Sequence, residues 1–260
     1  MLDEFLAHSV EFRLIHVGIC VRGQMATDDK LTILRDGVLK VTGRLVDASN
    51  ATLYATSTLG EDELTCIYKP VAGERPLWDF AEGSLANREY AAYVVSEQLG
   101  FHLVPLTILR DGPYGIGMAQ EWITLDETVD LASFFSSDHP ALRSMALFDA
   151  IVNNTDRKIG HLLPVNEDEV YGCDHGVTFH VDDKLRTVLW QWADDSFNES
   201  EMDLLRRAEK LLSDELAHQL AGFLTQGEIE AMLVRIERLI SEGRFPLPNP
   251  DWPAIPWPAF

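Results

Sequence analysis

Residues 140–176 read PALRSMALFDAIVNNTDRKIGHLLPVNEDEVYGCDHG. Pro140 suits the first position of a helix, where its missing N–H costs nothing. The residues after it are apolar on nearly every side, which predicts a buried helix from Pro140 to about Val152. The helix stops in a polar run, Asn153-Asn154-Thr155-Asp156-Arg157-Lys158, and a short hairpin follows, HLLPV and VYGCD joined by NEDE. Cys173-Asp174-His175-Gly176 closes the stretch. Each polar motif alone is ordinary turn chemistry, because turns select Asn, Asp and Gly. The order carries more: a carboxylate just past a buried helix, a hairpin, then a carboxylate before a glycine.

Upstream, from about Leu31 to Pro70, β-branched residues are broken by Gly, Asn and Asp. VLKVTGRLV, ATLYATS and LTCIYKP have strand character and predict an antiparallel β unit. A helix is expected at about Leu85 to Leu99, ended by Gly100 as a C′ residue. Two strands, VPLTIL and IGMAQEW, then bracket the turn at Asp111-Gly112-Pro113. Downstream the chain reads as mostly helical, with two amphipathic helices closing the fold. Thr225 and Glu228 form a capping box, and Ile229, Met232, Leu233, Ile236, Leu239 and Ile240 recur at helical spacing. Six of the 12 prolines fall between Pro246 and Pro258, interleaved with Trp252 and Trp257, which predicts an extended tail lying across the body of the protein.

With 260 residues and 46% hydrophobic composition, the chain can bury a full core in one large domain or two lobes. Its 42 acidic against 21 basic residues give a net charge of −21, which repels nucleic acid and anionic membrane surfaces alike. Asp3 and Glu4 stand where a signal peptide needs positive charge, and the uncharged run Leu14 to Val21 is too short to span a bilayer. A cytoplasmic protein without integral membrane association is the expectation. The three cysteines, Cys20, Cys66 and Cys173, are widely spaced and read as reduced structural thiols.

Phosphoryl transfer needs a backbone-lined loop over the phosphates, a lysine on them, a carboxylate-held metal and a group that orients the nucleophile. Lys69 ends a strand in which Thr65, Ile67 and Lys69 share one face. A strand-terminal lysine is by itself ordinary, so it needs a partner. Glu89 shares a helix face with Leu85, Ala92, Ser96 and Leu99, which turns its carboxylate toward protein and demands a cation. Arg88 and Arg75 compete with Lys69 for that role. Asp156 and Asp174 supply the two remaining carboxylates.

These residues resemble the phosphatidylinositol 3- and 4-kinase superfamily, and more closely a bacterial family of short kinase-related proteins. The resemblance spans roughly Gly43 to Trp192. Its most specific pieces are Gly43-Arg44 with Ser49-Asn50-Ala51-Thr52, YKPVAGERPLWDF, REYAAY, NNTDRKIGH and DHGVTFH. It implies an α+β, bilobal protein-kinase-like fold: residues 1–123 as an N-lobe of antiparallel sheet plus one helix, and 124–260 as a mostly helical C-lobe. It further implies an ATP-dependent kinase with an alcohol acceptor and magnesium or manganese as cofactor. Lys69 would lie on the α-phosphate region, Glu89 would brace it, Asp156 would be the base or the group that orients the nucleophile, and Asp174 would hold magnesium. Ser49 and Asn50 would line the phosphates, and the hinge Gln120, Glu121, Trp122 and Ile123 would read adenine. One departure stands out: the superfamily places asparagine five residues after its catalytic aspartate as a second metal ligand, and this chain has His161.

Three rivals follow. His161, His175 and His180 with Asp156 and Asp174 could ligate a hydrolytic metal, but no His-x-x-His or Cys-x-x-Cys pair anchors such a site. A pseudokinase would bind nucleotide without turnover. A phosphatidylinositol kinase would need basic residues in the segment after Asp174, residues 177–197, where only Lys184 and Arg186 occur, so a small polyol or protein hydroxyl is the favoured acceptor. Trp190 and Trp192 read as core packing or as a stacking surface for it.

Overall fold

The computed structural model describes residues 25–45, 50–166 and 168–260. Ser49, the N-terminal residues Asp3 and Glu4, the run Leu14 to Val21 and Cys20 lie outside them. The first element is a helix, α1 (Thr27–Asp36), followed by strands β1 (Val38–Arg44), β2 (Leu53–Leu59) and β3 (Asp62–Pro70). Helix α2 (Leu85–Leu99) precedes β4 (Thr107–Gly112) and β5 (Gly115–Glu121). The five strands form one antiparallel sheet in the order β1-β2-β3-β5-β4. Residues Leu31 to Asp36 therefore belong to a helix and not to the β unit expected there. Asp28 and Asp29 in its first turn and Arg35 in its last complement the helix dipole, and Ile33 and Leu34 are buried.

The later half is mostly helical. It holds α3 (Leu131–Phe135), α4 (Pro140–Val152), the hairpin β6 (Leu162–Pro164) and β7 (Val170–Gly172), then α5 (Glu199–Leu212), α6 (Glu215–Leu220) and α7 (Gln226–Glu242). The expected bilobal α+β arrangement is present, with three closing helices instead of two. Thr225 caps α7 reciprocally: its hydroxyl accepts the Glu228 N–H, and the Glu228 carboxylate accepts the Thr225 N–H at 2.8 Å.

Two hydrophobic cores follow from this order. The smaller joins Leu34 of α1 to Leu39, Ala55, Cys66, Tyr68 and Ala119 of the sheet. The larger is built by α4, α5 and α7, and α2 adds Ala91, Ala92, Val95 and Leu99 to it. Helix α2 is thus seated on the helical half while it flanks the sheet. Cys66 and Tyr68 take one face of β3 into the small core, which leaves Lys69 on the opposite face, toward α2. Gly100, with φ 77°, ends α2 in the left-handed conformation that a Cβ disfavours.

The tail lies across the body, as expected. The Thr187 N–H donates to Ala254 O at 3.0 Å, the Ile159 N–H to Ala259 O at 2.9 Å, and Asn249 Nδ2 to Asp183 O at 3.0 Å. Trp192 is buried and donates to Asp138, and Trp190 donates to Ala254 O, so both pack as structural residues. Among the described residues, no helix is long and apolar enough to cross a membrane.

Candidate functional site

The Lys69 amine sits between two carboxylates, 2.5 Å from Glu89 Oε1 and 2.8 Å from Asp174 Oδ1. Glu89 is 2% exposed, as its helix face predicted, and its other oxygen accepts the His175 N–H at 2.9 Å. One carboxylate thereby ties the sheet lysine to the backbone just after Asp174. The rival cations are accounted for: the Arg88 guanidinium donates to Glu228 and, at 2.6 Å, to Thr178 O, and it stacks 4.8 Å from the Phe80 ring. Arg75 is exposed, away from buried Glu89, and contributes its backbone N–H to Asn50 Oδ1 at 2.9 Å.

Burial alone would lower the Lys69 pKa, but Asp174 and then Glu89 outweigh it and hold the amine charged. Lys69 in turn holds Asp174 well below the usual carboxylate range, against the partial burial of that side chain. Burial raises Glu89 instead, with Lys69 opposing. Asp174 is therefore the more strongly ionised carboxylate. It stands at φ 60°, a left-handed conformation that aspartate tolerates better than most residues, and its side chain is 47% exposed. That exposure leaves oxygen lone pairs for a ligand, so Asp174 fits a cation beside the lysine.

Asp156 is set by its loop. Asn153 caps α4 at φ 53° and binds His180 O and Asp182 O through Nδ2, while the Asn154 side chain accepts the Asp156 N–H at 3.0 Å. Thr155 donates to Val177 O at 2.8 Å through its hydroxyl, joining this loop to the segment after Asp174. The Asp156 carboxylate meets Lys158 Nζ at 3.2 Å and Arg186 Nη2 at 3.3 Å. Burial raises its pKa, Lys158 and Arg186 pull it back, and Asp174 is near enough to push it up again. A half-buried carboxylate raised in this way is suited to accepting a proton.

The His161 Nε2 lies 3.5 Å from Asp174 Oδ2, and its Nδ1 receives the Lys158 N–H at 3.5 Å. Burial lowers its pKa to about 4, so the ring is neutral at pH 7. With Nδ1 as acceptor the proton sits on Nε2 and faces Asp174. Of the expected hinge, the Glu121 N–H donates to Leu106 O and the Trp122 N–H to Thr65 O at 3.0 Å. Gln120 donates through Nε2 to Thr107 at 2.8 Å and lies in β5, and Trp122 stacks edge-on with Tyr54. Ile123 is the first residue beyond the sheet bonds.

The least legible part of the site is a buried charge network. Arg157 and Asp149, both fully buried, form a bidentate pair with bonds of 2.8 and 2.9 Å, and Arg157 also reaches Cys173 O and, at 2.7 Å, His175 Nε2. One guanidinium so holds the loop of Asp156 against the segment of Asp174. Asp149, a lone carboxylate within the apolar run of α4, was the signal for a buried cation. Glu74 was also unforeseen: its carboxylate caps α2 by accepting the Leu85 and Ala86 N–H groups. Among the described residues, no three His, Cys, Asp and Glu side chains gather as a metal cage, and the histidines proposed for one serve separate contacts. Burial pushes the Cys66 and Cys173 thiols up to about 12, which keeps them protonated and unreactive. Two cavities, of about 270 and 370 Å³, flank the start of α2, and neither is lined by Lys69, Asp156 or Asp174.

Protein Rv2133c of Mycobacterium tuberculosis (strain ATCC 25618 / H37Rv) is 43% identical to this chain over 279 aligned positions, spanning 93% of the chain and 100% of that protein. The chain belongs to the Rv2133c family. Because the Rv2133c protein is matched over its whole length, the family resemblance takes in both the sheet and the helical half. No protein-family model matches the chain. Among solved structures, a crystal structure of a Helicobacter pylori proinflammatory kinase, CtkA, is similar at 13% identity and a TM-score of 0.45, covering 80% of this chain and 94% of that one.

Proposed function

We propose that the protein is a kinase related to the phosphatidylinositol 3- and 4-kinases, transferring the terminal phosphoryl group of ATP to a hydroxyl of a small molecule or protein. The observation that carries this reading is the Lys69 amine shared by Glu89 and Asp174. A partly buried lysine braced by a helix carboxylate, beside a half-exposed aspartate, is the apparatus that phosphoryl transfer requires.

In this reading Lys69 neutralises charge on the nucleotide phosphates, and Glu89 keeps the amine aimed. Asp174 would hold Mg²⁺ or Mn²⁺, with Asn50 on the phosphate side and the Gln120 to Ile123 segment beside the adenine. ATP with its metal supplies the activated phosphoryl group. Asp156 orients the acceptor hydroxyl and takes its proton as the new O–P bond forms and ADP leaves. His161, with its proton on Nε2, is better suited to donate to Asp174 than to ligate the metal, which would need the other tautomer.

The acceptor is best sought among molecules of low charge. Of the two cations in residues 177–197, Lys184 is only 6% exposed, binds Asp79 at 2.9 Å and lies between the Trp78 and Trp252 rings, at 4.7 and 5.0 Å. Arg186 is already paired with Asp156, which weighs against a phosphoinositide headgroup. The second reading, a nucleotide-binding protein without turnover, draws on His161 replacing the usual asparagine. Incubation with γ-labelled ATP, magnesium or manganese and a metabolite extract separates them: label moved to a small molecule or protein supports the kinase, and ATP binding without transfer supports the alternative.

A further inference from the structure

The tail from Pro246 onward has no role in the chemistry described so far, yet its backbone ends at the two cations of Asp156. Lys158 immediately precedes Ile159, whose N–H donates to Ala259 O at 2.9 Å. Arg186 immediately precedes Thr187, whose N–H donates to Ala254 O at 3.0 Å. The same Ala254 oxygen accepts Trp190 Nε1 at 2.8 Å. The two anchored segments are also bonded to each other, Arg157 N–H to Arg186 O and Val188 N–H to Arg157 O, each at 3.1 Å. Residues 254–259 thus lie along the outer side of a small backbone junction whose inner side presents Lys158 and Arg186 to Asp156. The two cations reach that carboxylate at 3.2 and 3.3 Å, both are partly exposed, and Arg186 Nε also donates to Thr155 O at 2.7 Å. Contacts of that kind are weak and depend on how well the backbone beneath them is held.

We propose that residues 254–259 are a positioning strap for the acceptor end of the site, holding Lys158 and Arg186 on Asp156. The catalytic consequence rests on the kinase reading; the structural one does not. Lys69 and Glu89 stand on β3 and α2, so the lysine and its brace at the nucleotide end do not rest on the strap.

The test compares the full chain with one shortened after Pro253 and with Trp190→Phe, which removes one hydrogen bond to Ala254 O and leaves the chain intact. Amide hydrogen exchange at Ile159 and Thr187 is expected to accelerate at least about tenfold in the shortened chain, while core amides of α4 keep their protection. The melting shift produced by ATP with magnesium should be retained, and transfer should fall by about tenfold or more. Arg186→Met should cost less in the shortened chain than in the full one, because the contact it removes is already loosened. Trp190→Phe should move the same amides by less, and it carries the test if the shortened chain does not fold. Unchanged protection at Ile159 and Thr187 overturns the strap, as does full transfer from a chain whose two amides have opened. Absence of transfer in the full chain sinks the kinase reading instead, and exchange then decides the strap alone.

Discussion

The Glu89 carboxylate accepts the His175 N–H at 2.9 Å through one oxygen and holds the Lys69 amine at 2.5 Å through the other. Helix α2 therefore sets the lysine of the sheet and the backbone of the aspartate segment together. Glu89→Gln keeps an oxygen for the His175 N–H but turns an amide NH2 toward the Lys69 amine, so it removes the charge and the acceptor that hold the lysine. We expect the variant to fold with a near-normal melting temperature and to lose about tenfold or more in turnover, read as kcat and KM for ATP. Wild-type kinetics in this variant would mean that Asp174 alone positions the amine.

Asp156 and Asp174 should separate chemistry from binding. Asp156→Asn is expected to retain ATP binding and to lose about 10²-fold or more in rate, the usual cost of removing a positioned proton acceptor. Asp174→Asn should bind nucleotide without responding to magnesium. A melting assay reads both, since ligand at a hundredfold over its dissociation constant adds about 2.7 kcal/mol. Turnover of Asp156→Asn at the wild-type rate would show that another group receives the proton.

His161 gives a prediction with a definite pH sign. Burial depresses its pKa in the folded chain to about 4, below the ordinary histidine value. The unfolded chain consequently binds the extra proton first as pH falls. Stability from this group is complete above about pH 6.5 and is lost between there and pH 4, with a slope of up to about 1.4 kcal/mol per pH unit. His161→Asn should flatten that part of the urea-midpoint profile and keep or raise magnesium-supported transfer. Complete loss of transfer would show that the imidazole has a job of its own.

Helices α2 and α4 were readable to the residue because each carries its own boundary signal, Gly100 after one and Pro140 before the other. Glu89 was readable because a carboxylate on an apolar face requires a cation. Helix α1 was not: Thr32, Ile33 and Leu34 look like strand residues locally, and only the sheet that buries Ile33 and Leu34 makes them helical. Glu74 escaped because it caps α2 from 11 residues upstream, a closure that depends on the path of the intervening loop. Arg157 reads as one polar residue in a polar run, and its burial follows from Asp149 on a different element.

That pair supplies the largest stability effect expected. Arg157 and Asp149 are both fully buried, and Arg157 also bonds Cys173 O and His175. Arg157→Met leaves a carboxylate uncompensated in the core and should cost about 3–5 kcal/mol in urea unfolding. Pairing it with Asp149→Leu removes the stranded charge and should recover much of that loss. Asn154 and Thr187, which bond the Asp149 carboxylate, would lose a partner in the double variant, so recovery should be incomplete. Transfer should stay low even where stability returns, because the loop of Asp156 and the segment of Asp174 are then no longer joined by one guanidinium. Equal losses of stability in the single and double variants would show that hydrogen bonding, and not the buried charge pair, governs this part of the core.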